Sequence, residues 1–268
     1  MPQDRQNIIL KKLSTKLLLS IITLWALATA AQAHDLSRGV SQHATAPGVA
    51  NGETAPIAVP IAARYAVTID RATAGSPRVK PQSHTWYFYR DAQRIALLKG
   101  SVDEVWFRDP QQRVSFERVF HDDARVVDYS TGELATLHVN VDWAALSTFI
   151  DSSELAQLKL SSKQGQGRNA RWHLRGRSGQ EQLTVEWLPA LQLPQRLTRQ
   201  VKGGPTVRMV LVASAPTPLP NWPALGVKSA HYLHLDAADF GDMDYDPVVR
   251  KSEALDTRLG WRASHKHD

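Results

Sequence analysis

The feature that most restricts the fold is a period of two. From Tyr65 onward apolar residues recur at alternate positions in short runs: Tyr65, Val67 and Ile69; Trp86 and Phe88; Ile95 and Leu97; Val105 and Phe107; Val114 and Phe116; and Val127 with Tyr129. Successive side chains of a strand point to opposite faces, so this pattern describes strands with one face buried. Asp91-Ala92-Gln93 and Asp109-Pro110-Gln111 separate neighbouring runs. Such short turns predict antiparallel hairpins.

The period then changes. Asp142 is placed to cap a helix carrying Trp143, Leu146 and Ile150 on one side, and Ser152 or Ser153 to cap a second short helix with Leu155 and Leu158. Lys163 to Asn169 reads as a polar loop. Strands resume at Trp172 and Leu174, at Leu183, Val185 and Trp187, around Leu197, and at Val207, Met209 and Leu211. Pro216 to Pro223 is a proline-rich connector; a last strand follows over His231 to Asp236, then an acidic turn, and Asp246-Pro247 opens a helix. The expected fold class is α+β, a curved antiparallel sheet, or half-barrel, with helices covering the concave face. The half-barrel domain spans 61–213 with a helical insert at 142–158, and 214–268 forms connector, strand and C-terminal helix.

The first residues look like an export signal. Arg5, Lys11, Lys12 and Lys16 precede an apolar run from Leu17 to Ala30, and Ala31-Gln32-Ala33 offers small residues for cleavage after Ala33. That run is shorter than the roughly 20 apolar residues a membrane span needs. Residues 1–33 are therefore read as a signal peptide and 34–60, rich in Ala, Thr, Pro and Gly, as a disordered leader. The expected location is the periplasm, or the medium, with no transmembrane span in the mature chain.

Cleavage removes four basic residues and one acid, leaving 32 − 4 = 28 Lys plus Arg against 26 − 1 = 25 Asp plus Glu, a net +3. An excess that small does not suggest a nucleic-acid partner. The chain has no cysteine, so stability must come from burial and hydrogen bonding rather than disulfides.

The stretch Val185 to Leu197, with Leu188-Pro189 and Leu193-Pro194 at its turns, followed by Val207 to Val212, resembles the later strands of the lipoprotein-localisation proteins, the LolA/LolB-like superfamily. The resemblance covers roughly 64–213 and is one of texture. It implies an incomplete barrel closed by helices, with acyl chains held in the apolar space between them. On that basis Trp86, Phe88, Phe116, Trp172, Leu174, Trp187 and Met209 are expected to form a ligand-binding wall, with Trp143, Leu146 and Phe149 on a lid. Each of these residues also fits ordinary core. The absence of Cys, and segments before Pro60 and after Pro216 without counterpart, depart from the family.

Other chemistry is weaker. Asp242, Asp244, Asp246 and Glu253 follow a calcium-loop spacing, but Pro247 stands where such a loop needs Gly, which favours turn and cap formation. His34 at a new N-terminus, with His43, His265 and His267, offers copper ligands only if a defined geometry brings them together. Arg171, His173, Arg175 and Arg177 share one face of a strand, either a solvated face or a surface for anionic groups. His121-Asp122-Asp123 most simply makes a turn, although a His beside carboxylates can act as an acid or base. There is no G-x-S-x-G, H-E-x-x-H or phosphate loop.

The function expected is therefore a carrier or sensor of a lipid-like ligand, with no cofactor, no metal and no catalytic residue assigned. The alternatives are an accessory module that docks an envelope protein partner, and a metal-binding protein or enzyme.

Overall fold

The computed structural model describes residues 59–71, 80–226 and 228–262. The segment read as a signal peptide (1–33), all but the last two residues of the segment read as a leader (34–60), and His34, His43, His265 and His267 lie outside them.

Twelve strands form one sheet: β1 (Ile61–Asp70), β2 (Gln82–Arg90), β3 (Arg94–Leu98), β4 (Val102–Arg108), β5 (Val114–Phe120), β6 (Arg125–Tyr129), β7 (Lys159–Gln164), β8 (Arg171–Ser178), β9 (Glu181–Leu188), β10 (Leu193–Val201), β11 (Thr206–Ala215) and β12 (Leu233–Asp236). The spatial order is β12-β6-β5-β4-β3-β2-β1-β11-β10-β9-β8-β7. The sheet is curved but does not close, and the class is α+β. Strands before and after the helical insert meet where β1 pairs antiparallel with β11, with a bulge between Arg64 and Tyr65. The N-terminal strand therefore joins the two hairpin series into one surface. The exception to antiparallel pairing is β12, which runs parallel to β6.

Among the described residues four α-helices cover the concave face: α1 (Thr131–Thr136), α2 (Trp143–Thr148), α3 (Ser152–Gln157) and α4 (Pro247–Leu259). The first three have six residues each, too few to persist in water alone, so caps and tertiary contacts hold them. Ser130 and Glu133 form a capping box on α1. Asp142 accepts from the Ala145 amide on α2, and Phe149 ends that helix in the left-handed region at φ 64°. Asp151, rather than Ser152 or Ser153, caps α3, because its carboxylate accepts from both the Ser153 and Glu154 amides. Asp246 caps α4 with Pro247 at its first position, as the sequence predicts, and Gly260 at φ 77° closes it.

Two elements differ from the sequence reading. β7 runs through 159–162, for which the sequence predicts no element, into the first two residues of the loop expected over Lys163 to Asn169; its side chains are all exposed, so no apolar alternation marks it. Helix α1 was not anticipated, since its single buried residue, Leu134, gives no periodic stripe.

Three arginines on the concave side fasten the covering layer to the sheet. Arg118 of β5, fully buried, donates to Asp256 Oδ1 of α4 at 2.8 Å, to Ser252 Oγ at 2.9 Å and to the Tyr129 hydroxyl at 2.9 Å. Arg199 of β10 bridges Glu154 of α3 at 2.6 Å and Glu181 of β9 at 3.1 Å. Arg90 of β2 donates to the carbonyls of Ser147 in α2, of Leu191, of Gln192 at 3.2 Å and of Val59 at 3.2 Å. Burial alone would lower the pKa of Arg118, but Tyr129, Asp256 and Glu104 together hold it above the usual value. Arg90, with carbonyls in place of a carboxylate, is lowered by burial to about 10.

Removing one partner of a fully buried ion pair leaves the other charge stranded, at a cost of about 3–5 kcal/mol. Asp256→Ala is expected to lower the unfolding free energy by about that much in urea denaturation. Asp123→Ala, which deletes the more exposed Lys251 to Asp123 pair at 2.7 Å, is expected to cost under about 1 kcal/mol.

Candidate functional site

The sequence-derived wall and lid come together. Trp86, Phe88, Phe116, Phe149, Leu174, Trp187 and Met209 are buried in one apolar cluster on the concave face, and Trp143, Leu146 and Trp172 pack half-buried against it. The left-handed turn at Phe149 aims its ring inward, 4.5 Å from the Phe88 ring and 5.2 Å from Tyr65. Trp143 sits at the margin, where Arg108 lies 4.6 Å over its ring. Trp172 carries Lys163 at 5.0 Å.

A gap of about 20 Å³ beneath α2 is lined by Phe88, Ile95, Leu97, Trp106, Leu146 and Phe149, with Glu104 as its polar member. That is room for about one water. Part of the filling comes from the C-terminal segment, which sequence reasoning gave no place on the concave side. Trp261 packs edge-on against Trp106, Phe116 and Tyr129, and Val248 and Val249 of α4 join the same core.

The larger recess lies on the opposite face. There β2 to β4 carry a second apolar group, Tyr89, Ala96, Leu98 and Val105, half roofed by the connector through Trp222. The Tyr89 hydroxyl donates to the Pro223 carbonyl at 2.7 Å, and Trp222 stands edge-on to Tyr87 at 5.7 Å. Between this roof and the strands runs a groove of about 190 Å³. Tyr87, Leu98, Val105, Phe107, Val119 and Leu225 give it apolar walls, and Arg94, Asp103, Glu117, His121 and Lys228 line it with charge.

His121, which follows β5, is fixed at the groove. Its Nε2 lies 2.6 Å from Asp103 Oδ2 and its Nδ1 3.2 Å from the Tyr232 hydroxyl. Asp103 Oδ1 accepts from the Lys99 and Gly100 amides at 2.8 and 3.2 Å. A neutral ring that donates from Nε2 to Asp103 and accepts from Tyr232 at Nδ1 satisfies all three groups. With both nitrogens engaged, His121 orders the groove wall. The sequence placed His121 in a turn; its partners lie 18 and 111 positions away, and no local signal connects them.

Glu117 is different. It stands directly across from Asp128 on β6, and burial, then Asp128, raise its pKa from the ordinary 4.5 against the opposing effect of His234. Among the described residues its carboxylate makes no hydrogen bond. A like-charged cross-strand pair of this kind is destabilising.

The acidic segment serves the backbone. Asp246 caps α4, and Glu253 lies 3.3 Å from Arg262. Among the described residues no group of three or more His, Asp or Glu side chains is arranged to hold a metal ion. Among them, too, no helix is long and apolar enough to cross a membrane.

No protein-family model matches the chain, and no curated protein matches it. Among solved structures it is similar to PNGF-II, at 12% identity and a TM-score of 0.34, over 69% of this chain and 33% of that one. It is also similar to the MucA/MucB complex structure of Pseudomonas aeruginosa, at 14% identity and a TM-score of 0.31, over 63% of this chain and 56% of that one. A third, a lipoprotein-sorting protein domain from Vibrio parahaemolyticus, shares 7% identity with a TM-score of 0.28 over 60% of this chain and 87% of that one. The chain thus spans about a third of the PNGF-II chain. At these identities and scores the likeness extends to neither activity nor partner.

A carboxyl whose folded pKa is raised above its unfolded value binds more protons when folded, so its cost is absent below the unfolded pKa and grows as pH rises through the folded one. Glu117→Gln is therefore expected to melt at a higher temperature than the parent at pH 7, and the difference is expected to vanish as pH falls below 4.5. Thermal melts across that range check it.

Proposed function

We propose that this chain is a binding protein of the half-barrel class that works outside the cytoplasm and recognises its ligand or partner group in the groove on the outer face of the sheet. The observation that carries this reading is the contrast between the two faces. The gap beneath α2 holds about 20 Å³, whereas the outer groove offers about 190 Å³ with both apolar walls and fixed polar groups. Concave, mostly apolar recesses with a few placed polar groups are the usual form of a small-molecule site. The occupant would be compact and amphipathic, a small molecule or a side chain of an envelope partner. The groove needs no cofactor for this.

A second reading keeps the lipid-like ligand on the concave side. What favours it is the build of α2: six residues, a left-handed end at Phe149, and the small gap directly beneath Leu146 and Phe149. Swinging this lid out would bring Trp86, Phe88 and Phe149 into contact with an acyl chain, each apolar Å² buried contributing about 25 cal/mol. The ten wall and lid residues would then be the ligand contacts.

The two readings separate by experiment. Fragment soaking followed by amide chemical-shift mapping is expected to perturb Tyr87, Val105, Val119 and Leu225 if the groove is the site. Perturbations confined to α2, or a lipid in organic extracts of protein purified without detergent, would transfer the site to the concave side.

A further inference from the structure

The mature chain's net charge of +3 conceals an uneven distribution. Residues 159–215, which supply β7 to β11, contain ten Lys plus Arg and two acids, 10 − 2 = +8, so the remainder of the mature chain carries 3 − 8 = −5. Of the two acids, Glu181 is buried and satisfied by Arg199. Removing that pair leaves nine cations against Glu186.

Strand register puts most of this charge on one side. Lys159 pairs across from Arg175, His173 from Glu186, Glu186 from Arg196, and Thr198 from Arg208. Leu174, Val185, Leu197 and Met209 take the concave side. Lys159, Arg171, Arg175, Arg177, Arg196 and Arg208 therefore project from the outer, convex face, and all six are exposed. Glu186 lies 3.4 Å from Arg171 and 3.5 Å from Arg196. Lys159, Arg175, Arg177 and Arg208 have no ion-pair partner among the described residues. The connector that roofs the other half of this face, over β2 to β4, contributes nothing here. Between the cations stand hydrogen-bonding groups, Gln182, Thr184, Thr198 and Gln200, with exposed Val210 and Val212 at the side.

We infer that the convex face of β7 to β11 is a docking surface for a flexible anionic polysaccharide, a chain of sugars bearing carboxylate or sulfate groups. Guanidinium forks match such oxyanions bidentately, and the hydroxyl and amide groups between them suit sugar hydroxyls. The face itself selects among polyanions. Being convex, it meets a flat bilayer or a rod-like duplex along a narrow line, whereas a flexible chain follows the curve. Both tryptophans of the segment, Trp172 and Trp187, belong to the concave cluster, so the face offers no aromatic platform on which unpaired bases stack. Recognition there is independent of whatever occupies the groove between β2 and the connector.

The test uses purified protein and fluorescein-labelled polygalacturonate, with affinity read by fluorescence anisotropy. Binding is expected, and it is expected to weaken steeply between about 50 and 200 mM salt as counterions compete. The triple variant R175Q/R177Q/R208Q is expected to bind at least about tenfold more weakly with an unchanged melting temperature. R113Q, on the β4 to β5 turn away from this face, is expected to bind as the parent does. Absence of binding, equal binding by the triple variant, or tighter binding to phosphatidylglycerol vesicles or duplex DNA than to the polymer would overturn the assignment.

Discussion

Three buried guanidinium groups hold this fold together, and the rest of the structure follows from where they point. Each leaves a different strand, and each engages a different part of the cover: Arg90 reaches α2, Arg199 reaches α3 and Arg118 reaches α4. A curved twelve-stranded sheet with an apolar concave face could collapse against its cover in many registers. Buried charges that demand specific acceptors disfavour all but one of them, because an unmatched guanidinium costs far more than a misplaced leucine. Satisfaction is not complete: Nε and Nη2 of Arg118 and Nε of Arg199 have no protein partner. The aromatic faces of Phe116, Tyr129 and Trp261, 5.2 to 5.6 Å from the Arg118 guanidinium carbon, supply part of the missing stabilisation.

This fastening also determines which side of the sheet is available. With α2, α3 and α4 drawn down, the concave face is one buried apolar cluster, and Phe88 contacts Phe149 at the end of α2. The opposite face lacks such anchors. The connector covers part of it, held by Tyr89 to Pro223 and by Trp222, and among the described residues the strands beyond it stay open. Space and uncompensated charge both accumulate on that side.

Much of the scaffold was legible in the sequence, because alternation over Tyr65 to Ile69 or Val207 to Leu211 admits few other readings, and Asp142 and Asp246-Pro247 announce their helices through local chemistry. The seven wall residues follow from strand alternation and Trp143 and Leu146 from helical spacing, and all ten share one apolar cluster. What escaped was information carried by pairing across the chain. Nothing near His121 indicates Asp103 or Tyr232, nothing in Lys159 to Gln164 distinguishes an exposed edge strand from a loop, and Trp261 gives no sign of reaching Trp106. The basic bias of 159–215 was countable from the sequence but hidden inside the whole-chain sum.

The energetics of the lid bear on how the concave side could ever open. A helix of six residues cannot survive undocked, because nucleation costs more than its few hydrogen bonds return. Release of α2 therefore means unfolding it, which takes the Ser147 carbonyl from Arg90 and exposes Phe149 at the same moment. These losses are coupled, so intermediate openings are disfavoured and the lid is either seated or melted. Arg90 differs from its two counterparts in having carbonyls rather than carboxylates as partners, so its release breaks no buried ion pair. Of the three fastenings, the one over the small gap is thus the least costly to undo, and any guest entering the concave side would enter beneath α2.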